Sequence, residues 1–234
     1  MSQSAWPSMV WQTYDYYYDT NAGYFGLKKA NQPVNAIFNP VTREVVLVNA
    51  TPEDRKDLHV TVNLYDVTGK MLKTESSVQS IRADNRKVIS TLNMNDFSGI
   101  VFVKTYIKGK DGNEIADNFT WMNVGEKYQY AALSQLPEAT LSVVLRPNGQ
   151  NACIAEIKNT GSAPAFMIRL KTVDSQSGEP VLPVYYTDNY FTLMPGETKN
   201  VGFEWNVGQT EGKQLDFYME AWNYTTRKLN INNK

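Results

Sequence analysis

The chain of 234 residues has the composition of an ordinary globular protein, with 42% hydrophobic and 20% charged residues and a formal net charge of -1. This balance excludes a mainly disordered chain, and its length fits one large domain or two of ordinary size. Lys and Arg form no clusters, and no apolar run approaches the about 20 residues that cross a bilayer. The sequence therefore predicts neither a nucleic-acid nor a membrane partner.

Histidine and cysteine each occur once, as His59 and Cys153. A single cysteine excludes an internal disulfide, and its alternation with Ala155 and Ile157 predicts a thiol buried on the inner face of a strand. His59 falls on the polar face of the alternating run 58–64. One histidine is too few for a zinc site built on histidines and leaves a Ser-His-Asp triad with a single possible base. We therefore predict no metal and no cofactor.

The first 33 residues differ from the rest of the chain. Tryptophans and a run of tyrosines fill residues 6–18 without the alternation of a solvent-facing strand. Residues 19–23 are typical of a turn, and residues 24–31 favour a helix that ends before Pro33. The segment reads as the end of a domain rather than the beginning of one.

From residue 34 the hydrophobic period becomes two, which is typical of strands. Residues 34–124 contain about seven short strands, residues 125–139 form a junction, and residues 140–234 contain a second set. The pattern predicts an all-β chain of two tandem immunoglobulin-like sandwiches, although the Cys-Trp-Cys signature is missing. The apolar positions predicted to alternate are Leu58, Val60, Val62, Leu64, Val88, Leu92, Met94, Val101, Val103 and Ile107 in the first set, and Leu141, Val143, Leu145, Cys153, Ala155, Ile157, Phe166, Ile168, Leu170, Val201, Phe203, Trp205, Val207, Leu215, Phe217, Met219 and Ala221 in the second.

Three polar or aromatic features are candidates for a functional role. The aromatic run could stack on sugar rings, but packing in a core or at an interface is favoured. Asp15 and Asp19 are the only acids of this run, and no Asp/Glu pair elsewhere in the sequence suggests the two carboxylates about 5–5.5 Å apart that a retaining glycosidase uses. Asp188 and Asn189 read as a loop that satisfies its own backbone, and the pair at 28–29 reads as a solvated helix face.

Several motifs resemble enzymes of glycoside hydrolase family 2, in the exo-β-D-glucosaminidase and endo-β-mannosidase branch. Residues 1–33 resemble the last strand, loop and helix of the catalytic (β/α)₈ barrel in that family. Residues 182–197 resemble the immunoglobulin-like domain of exo-β-D-glucosaminidases. The motifs that carry the resemblance are Ala5-Trp6-Pro7-Ser8, Trp11-Gln12, Tyr14-Asp15-Tyr16, Tyr24-Phe25-Gly26-Leu27-Lys28-Lys29-Ala30, Leu136-Pro137-Glu138-Ala139, Asn159-Thr160-Gly161, Ile168-Arg169-Leu170 and the run from Leu182 to Glu197.

The resemblance implies a parent enzyme that hydrolyses β-linked glucosamine or mannose residues with retention. The catalytic carboxylates of the family lie on earlier barrel strands, upstream of Met1, so the chain alone is expected to be inactive and no catalytic residue is assigned. Trp6, Trp11 and Tyr14 are the expected substrate-binding residues. The implied partners are the barrel of the same polypeptide and the carbohydrate substrate, and a periplasmic or secreted location is expected.

For the aromatic segment the resemblance implies packing within the barrel, with Trp6 near the sugar and the other rings beneath the first sandwich. Cut from the barrel, residues 1–22 are expected to be irregular or docked on a sandwich, not a regular strand. A stand-alone carbohydrate-binding or adhesion module remains the alternative to an accessory region of the hydrolase, because sandwiches host many functions.

Overall fold

The computed structural model describes residues 13–231, with the side chain at position 209 left aside. In this range strands dominate, so the predicted all-β class is confirmed. The helical elements are α1 (Ala22–Ala30), a 3-10 helix (Tyr130–Gln135) and the short α2 (Val207–Thr210). The strands are β1 (Val34–Phe38), β2 (Glu44–Asn49), β3 (Arg55–Asp66), β4 (Met71–Ile81), β5 (Asn85–Thr91), β6 (Gly99–Lys108), β7 (Glu114–Val124), β8 (Leu141–Pro147), β9 (Ala152–Asn159), β10 (Ala165–Asp174), β11 (Val184–Tyr186), β12 (Phe191–Leu193), β13 (Thr198–Trp205), β14 (Leu215–Ala221) and β15 (Tyr224–Leu229).

The described residues divide into two compact units, residues 27–136 and residues 13–26 together with 137–231. The first unit contains the first sandwich, with sheets β1-β2-β5 and β4-β3-β6-β7. The second unit contains the second sandwich, with sheets β12-β10-β14-β15 and β11-β13-β9-β8. Neighbouring strands in these sheets pair antiparallel, as in an immunoglobulin-like fold. Among the described residues, no helix is long and apolar enough to cross a membrane.

The core of the first sandwich follows the alternation of its strands, with one exception. Leu58, Val60 and Leu64 are buried as predicted, and His59 faces outward. Val88, predicted to face inward, is 52% exposed. The β2–β5 pairing shifts register between Val45 and Val46, so β5 carries an extra residue there. This bulge turns Ile89 toward the core instead, and a single-residue shift of this kind reverses the faces of a strand.

Strand β6 is buried on both of its faces. Val101 and Val103 lie in the core, whereas the alternate residues Phe102 and Lys104 are only 0% and 5% exposed. The Phe102 ring centroid lies 5.5 Å from that of Phe119 on β7, so aromatic side chains cover this second face. Antiparallel sheets commonly leave one face to solvent, and burial of both faces is typical of a sheet inside a layered assembly.

The last turn of α1 is solvated at Lys28, as predicted, but not at Lys29, for which the prediction is corrected. Lys29 Nζ lies 2.7 Å from Asp117 Oδ1, and both side chains are largely buried. The Lys29 carbonyl also accepts a hydrogen bond from Asn35 Nδ2 at 2.7 Å. These contacts lie within the first unit and join the end of α1 to strands β1 and β7.

Cys153 is buried in the core of the second sandwich, which confirms the prediction for the thiol. Val207, predicted to extend the alternation of β13, is instead exposed, because β13 ends at Trp205 and α2 begins at Val207. The core takes the inward residues of both sheets. These are Ala139, Leu145, Cys153, Ala155, Ile157, Ala165, Ile168, Leu170, Phe191, Leu193, Val201, Phe203, Phe217, Met219 and Tyr224.

The described part of the aromatic segment, residues 13–21, is irregular and belongs to the second unit. Its shape is set by Asp15, whose Oδ1 accepts hydrogen bonds from the backbone N–H groups of Tyr17 (2.8 Å) and Asp19 (3.0 Å). The irregular, docked state is therefore confirmed for these residues. The expectation that the rings lie beneath the first sandwich concerns the intact enzyme and stays a prediction; in this chain Tyr17 and Tyr18 are 60% and 58% exposed, and the segment belongs to the second unit.

Candidate functional site

The guanidinium of Arg169 on β10 contacts two carboxylates and an aromatic ring within the second unit. Arg169 lies directly opposite Glu220 of β14, and its Nη1 is 3.2 Å from Glu220 Oε1. Lys171 Nζ is 2.7 Å from the other oxygen of the same carboxylate. Cross-strand pairs of opposite charge stabilise a sheet, and here two cations share one carboxylate.

Residues 13–26, which lie outside the sheet, contact Arg169 and the neighbouring Tyr190. Asp19 forms an ion pair with Arg169 Nη2. Phe25 of α1 is 3% exposed, and its ring centroid lies 6.0 Å from that of Tyr190. The Arg169 guanidinium lies 5.5 Å from the Tyr190 centroid, within the range of a cation–π contact. We call Asp19, Phe25, Arg169, Lys171, Tyr190 and Glu220 the Arg169 cluster.

The loop before β12 places Tyr190 in the cluster. Asn189 Oδ1 accepts a hydrogen bond from the Leu170 N–H at 2.7 Å, and its Nδ2 donates to the Leu170 carbonyl at 3.0 Å. This side chain therefore pairs with β10 as a neighbouring strand would. Asp188 caps the Asn189 N–H at 2.9 Å and lies 2.9 Å from Lys199 Nζ on β13. The prediction of a loop that satisfies its own backbone is met only in part, because Asp188 also pairs with Lys199 on β13 and Asn189 bonds to β10.

The backbone at Tyr190 is in the left-handed region, with φ of 56°. That conformation is uncommon for a bulky residue and persists only where the surroundings impose it. Here Asn189 fixes one side of the residue and β12 begins on the other. The ring is thereby directed at Arg169 and Phe25.

The electrostatics of the cluster follow from burial and neighbouring charge. Burial raises the pKa of Tyr190 to about 12, with Asp19 and Glu220 adding to the effect and Arg169 opposing it. Burial acts to lower the pKa of Arg169, but Asp19, Tyr190 and Glu220 outweigh it, so that pKa is raised. The Arg169 guanidinium and the Tyr190 phenol thus keep their ordinary charge states at neutral pH.

Tyr186 of β11 is partly buried against the core of the second sandwich. Its hydroxyl is 2.9 Å from Thr172 Oγ1 of β10. Burial raises the pKa of Tyr186, while the hydrogen bond to Thr172 opposes the shift. The neutral phenol therefore serves as a structural hydrogen-bonding group.

This arrangement is suited to holding two segments together rather than to chemistry on a substrate. The carboxylates of Asp19 and Glu220 both contact Arg169, and the two cations balance the two anions. Within residues 13–231, no group of three His, Cys, Asp or Glu side chains is placed to hold a metal ion. The cluster can fix the position of residues 13–26 on the sandwich.

The predicted substrate-binding residues are only partly described. Trp6 and Trp11 lie outside the described residues. Tyr14 is half-buried, pairs with Thr20 through an isolated bridge, and stacks on Tyr18 with ring centroids 5.9 Å apart. The role of these three residues stays a prediction.

The sequence alone did not predict the Arg169 cluster, although several of its residues lie in or next to the motifs that carry the family resemblance. Arg169 and Tyr190 both fall in motifs that carry the family resemblance, and Asp19 follows the tyrosine run. A basic residue on the outer face of a strand, opposite an acidic one, looks like an ordinary solvated pair. Only the fold shows that a third charged group from 150 residues earlier meets it.

Comparison with known families defines the class of both sandwiches. Residues 42–124 match the mannosidase Ig/CBM-like domain, and residues 118–224 match the exo-beta-D-glucosaminidase Ig-fold domain. Each sandwich is thus similar to an immunoglobulin-like domain family named for glycosidases.

Individual relatives extend the match to nearly the whole chain. The exo-beta-D-glucosaminidase of Amycolatopsis orientalis is 29% identical over 98% of this chain, and that of Arthroderma benhamiae is 29% identical over 86%. The crystal structure of the exo-chitosanase CsxA of Amycolatopsis orientalis aligns with 97% of the chain at a TM-score of 0.87 and 26% identity. The chain is homologous to the C-terminal domains of glycoside hydrolase family 2 exo-β-D-glucosaminidases and mannosidases, which confirms the resemblance.

The match covers only part of these relatives. The chain spans 25% of the length of both curated relatives and 30% of the solved chain.

Proposed function

We propose that this chain is the non-catalytic accessory region of a retaining glycoside hydrolase that acts on β-linked glucosamine or mannose residues. In this role the two sandwiches support a catalytic barrel and border its sugar cleft. The observation that carries the proposal is the attachment of residues 13–26 to the second sandwich through Asp19 and Phe25. This is the segment that resembles the end of the family's barrel, and a noncovalent attachment would hold such a barrel end in place.

The first sandwich supports the same role. Its strand β6 is buried on both faces, and aromatic rings of Phe102, Phe119 and Trp121 line the outer one. A sheet of this kind is suited to lie between layers, as a support against another domain would require.

The acids of the described aromatic segment are engaged in structure. Asp19 pairs with Arg169, and Asp15 accepts two backbone hydrogen bonds in its own turn. A retaining glycosidase needs one carboxylate as nucleophile and a second as acid and base. Neither of these two acids is placed as a member of such a pair.

The test of the accessory role is an activity assay on the purified chain. We expect no turnover of aryl β-D-glucosaminides or β-D-mannosides above the blank, with an exo-β-D-glucosaminidase as the positive control. Turnover that Asp19→Asn or another substitution in this chain abolishes would overturn the proposal. The coding sequence upstream of Met1 provides a second test, because a barrel with two suitably placed carboxylates supports the accessory role and an unrelated domain opposes it.

One observation supports the alternative function of a stand-alone carbohydrate-binding module. The aromatic side chains of Tyr17, Tyr18 and Trp222 are exposed. Aromatic faces stack on sugar rings, so these side chains offer a contact surface. Calorimetric titration with glucosamine and mannose oligosaccharides separates the two functions. Tight binding that Tyr17→Ala removes, without a barrel in the same gene, would favour the module.

A further inference from the structure

We infer that Arg169 is a positioning residue: it sets where and in which orientation residues 13–26 lie on the second sandwich. The inference deepens the proposed function and rests on it for one consequence, that Tyr14 is thereby held at the sugar cleft. The attachment itself is a property of this chain and is testable without a barrel or a sugar.

The geometry of the guanidinium supports this role. Its two terminal nitrogens contact two carboxylates from different elements, Asp19 of the N-terminal segment and Glu220 of β14. Glu220 fixes the plane of the group on the sheet, since it is the direct cross-strand partner of Arg169. With the plane of the guanidinium fixed, Nη2 at its other edge can bind the Asp19 carboxylate from only one direction. A lysine, with one flexible ammonium group, could not hold both carboxylates in that geometry.

Burial of Phe25 and the ion pair of Asp19 have different consequences. The Phe25 ring supplies the apolar contact with Tyr190, and such contacts are not directional. The exposed rings of Tyr17 and Tyr18 add little to it. Orientation therefore depends on the directional contact of Asp19 with Arg169, whose side chain is only 19% exposed.

The contact of Asp19 with Arg169 affects all of residues 13–21, because backbone hydrogen bonds connect these residues to one another. The Asp15 N–H donates to the Asp19 carbonyl at 2.9 Å, and the Tyr18 N–H donates to the Asp15 carbonyl at 3.1 Å. The Asn21 N–H reaches the Thr13 carbonyl at 3.3 Å. Fixing Asp19 thus fixes residues 13–21 as one body.

The experiment is hydrogen exchange with mass spectrometry on the full chain and on its variants. The hydrogen-bonded amides of Asp15, Tyr18 and Asn21 report on the segment, and amides of β9 report on the sandwich. The variants are Arg169→Lys, Asp19→Asn and Asp19→Glu. Lys228→Met is the control, because it removes an ion pair with Asp216 on the same sandwich that does not involve residues 13–26.

We expect Arg169→Lys and Asp19→Asn each to speed exchange of residues 13–21 about tenfold or more, with β9 unchanged. The double variant should add little to either single one, since both remove the same contact. Asp19→Glu should recover part of the protection, and about 1 M salt should weaken it in the parent chain only slightly because the pair is mostly buried. Lys228→Met should leave the segment unchanged.

Two results would overturn the inference. Unchanged exchange of residues 13–21 in both single variants would show that Phe25 alone holds the segment. Equal loss of protection in β9 and in residues 13–21 would show that Arg169 is a brace of the whole sandwich. Neither result bears on the hydrolase assay, so failure of this inference is distinguishable from failure of the proposed function.

Discussion

Asn49 and Asn159 make the same three hydrogen bonds in the two sandwiches. Each ends a strand, is 0% exposed, and donates from Nδ2 to the carbonyl four residues later at 2.8 Å. Each Nδ2 also donates at 2.9 Å to a distant carbonyl, that of Arg82 in the first sandwich and that of Leu193 in the second. Each Oδ1 accepts from the N–H two residues later, at 3.1 and 3.0 Å. The side chain thus joins the end of one strand to a segment more than thirty residues away.

Asn159→Asp should destabilise the second sandwich by about 3 kcal/mol or more. The substitution keeps the acceptor oxygen but replaces two donated hydrogen bonds by a buried carboxylate facing two carbonyls. Guanidinium unfolding followed by tryptophan fluorescence measures the loss. Asn148→Asp, at an exposed position in the loop between β8 and β9, is the matched control and should change stability by less than about 0.5 kcal/mol. A similar change in both variants would show that the buried amide is unimportant.

Tyr190→Phe should reduce the loss of stability at alkaline pH. Burial raises the pKa of Tyr190 from 10.0 to about 12, so the unfolded chain loses this proton before the folded chain does. The contribution of the neutral Tyr190 phenol to the free energy of unfolding is therefore fully present below the pKa that Tyr190 has in the unfolded chain. It declines as pH rises from 10 to 12. After allowance for solvent screening of a partly exposed group, the difference between the parent chain and the variant should amount to about 1 kcal/mol.

The measurement is the free energy of unfolding of both proteins at several alkaline pH values. Other tyrosines and the lysines titrate in both, so only the difference between the two curves reports on Tyr190. Tyr185→Phe is the control, because Tyr185 is 60% exposed. Parallel curves for the parent chain and Tyr190→Phe would contradict the prediction.

Cys153 should not react with Ellman's reagent at about pH 8 while the chain is folded. The thiol is buried in the second core, and burial raises its pKa, so both access and thiolate content are low. In concentrated guanidinium chloride the single cysteine should react fully. Rapid reaction of the folded chain would mean that the core around β9 opens readily.

Hydrophobic alternation was enough to predict the sandwiches, and its failures have local causes. The inward residues of β3 and β9 follow a strict period of two, which burial on one face imposes. Val88 was misplaced because the bulge in β5 changes the period by one residue, and a bulge leaves no mark in composition. The short β11 and β12 of three residues each offer too few alternations to identify.

The polar contacts were harder to predict because their partners are distant in sequence. Lys29 and Asp117 are 88 residues apart, and Asp19 and Arg169 are 150 apart. On a sequence each of these residues looks like a solvated charge. Which charges meet is decided by the way the sheets fold, and that is set mainly by apolar burial elsewhere.

The fragment 27–136 should fold alone and should be more stable than the fragment 34–136. Residues 27–136 form one compact unit, and Lys29 joins α1 to it through Asp117 and through the hydrogen bond from Asn35 to its carbonyl. Without residues 27–33, Asp117 loses Lys29 and the buried Asn35 amide loses its acceptor. We expect a loss of about 1–3 kcal/mol, read from chemical denaturation of the two fragments.

Two substitutions in the longer fragment separate the ion pair from the rest of the segment. Lys29→Met should reproduce a large part of the loss in stability, because it leaves the largely buried Asp117 without its cation. The loss should not be complete, since the hydrogen bond from Asn35 to the backbone carbonyl of residue 29 remains. Lys110→Met, in the exposed hairpin between β6 and β7, should leave stability unchanged within about 0.5 kcal/mol. Equal midpoints for the fragments 27–136 and 34–136 would show that the end of α1 contributes nothing to the first sandwich. In that case the domain would begin at residue 34, the boundary that the hydrophobic period alone predicts.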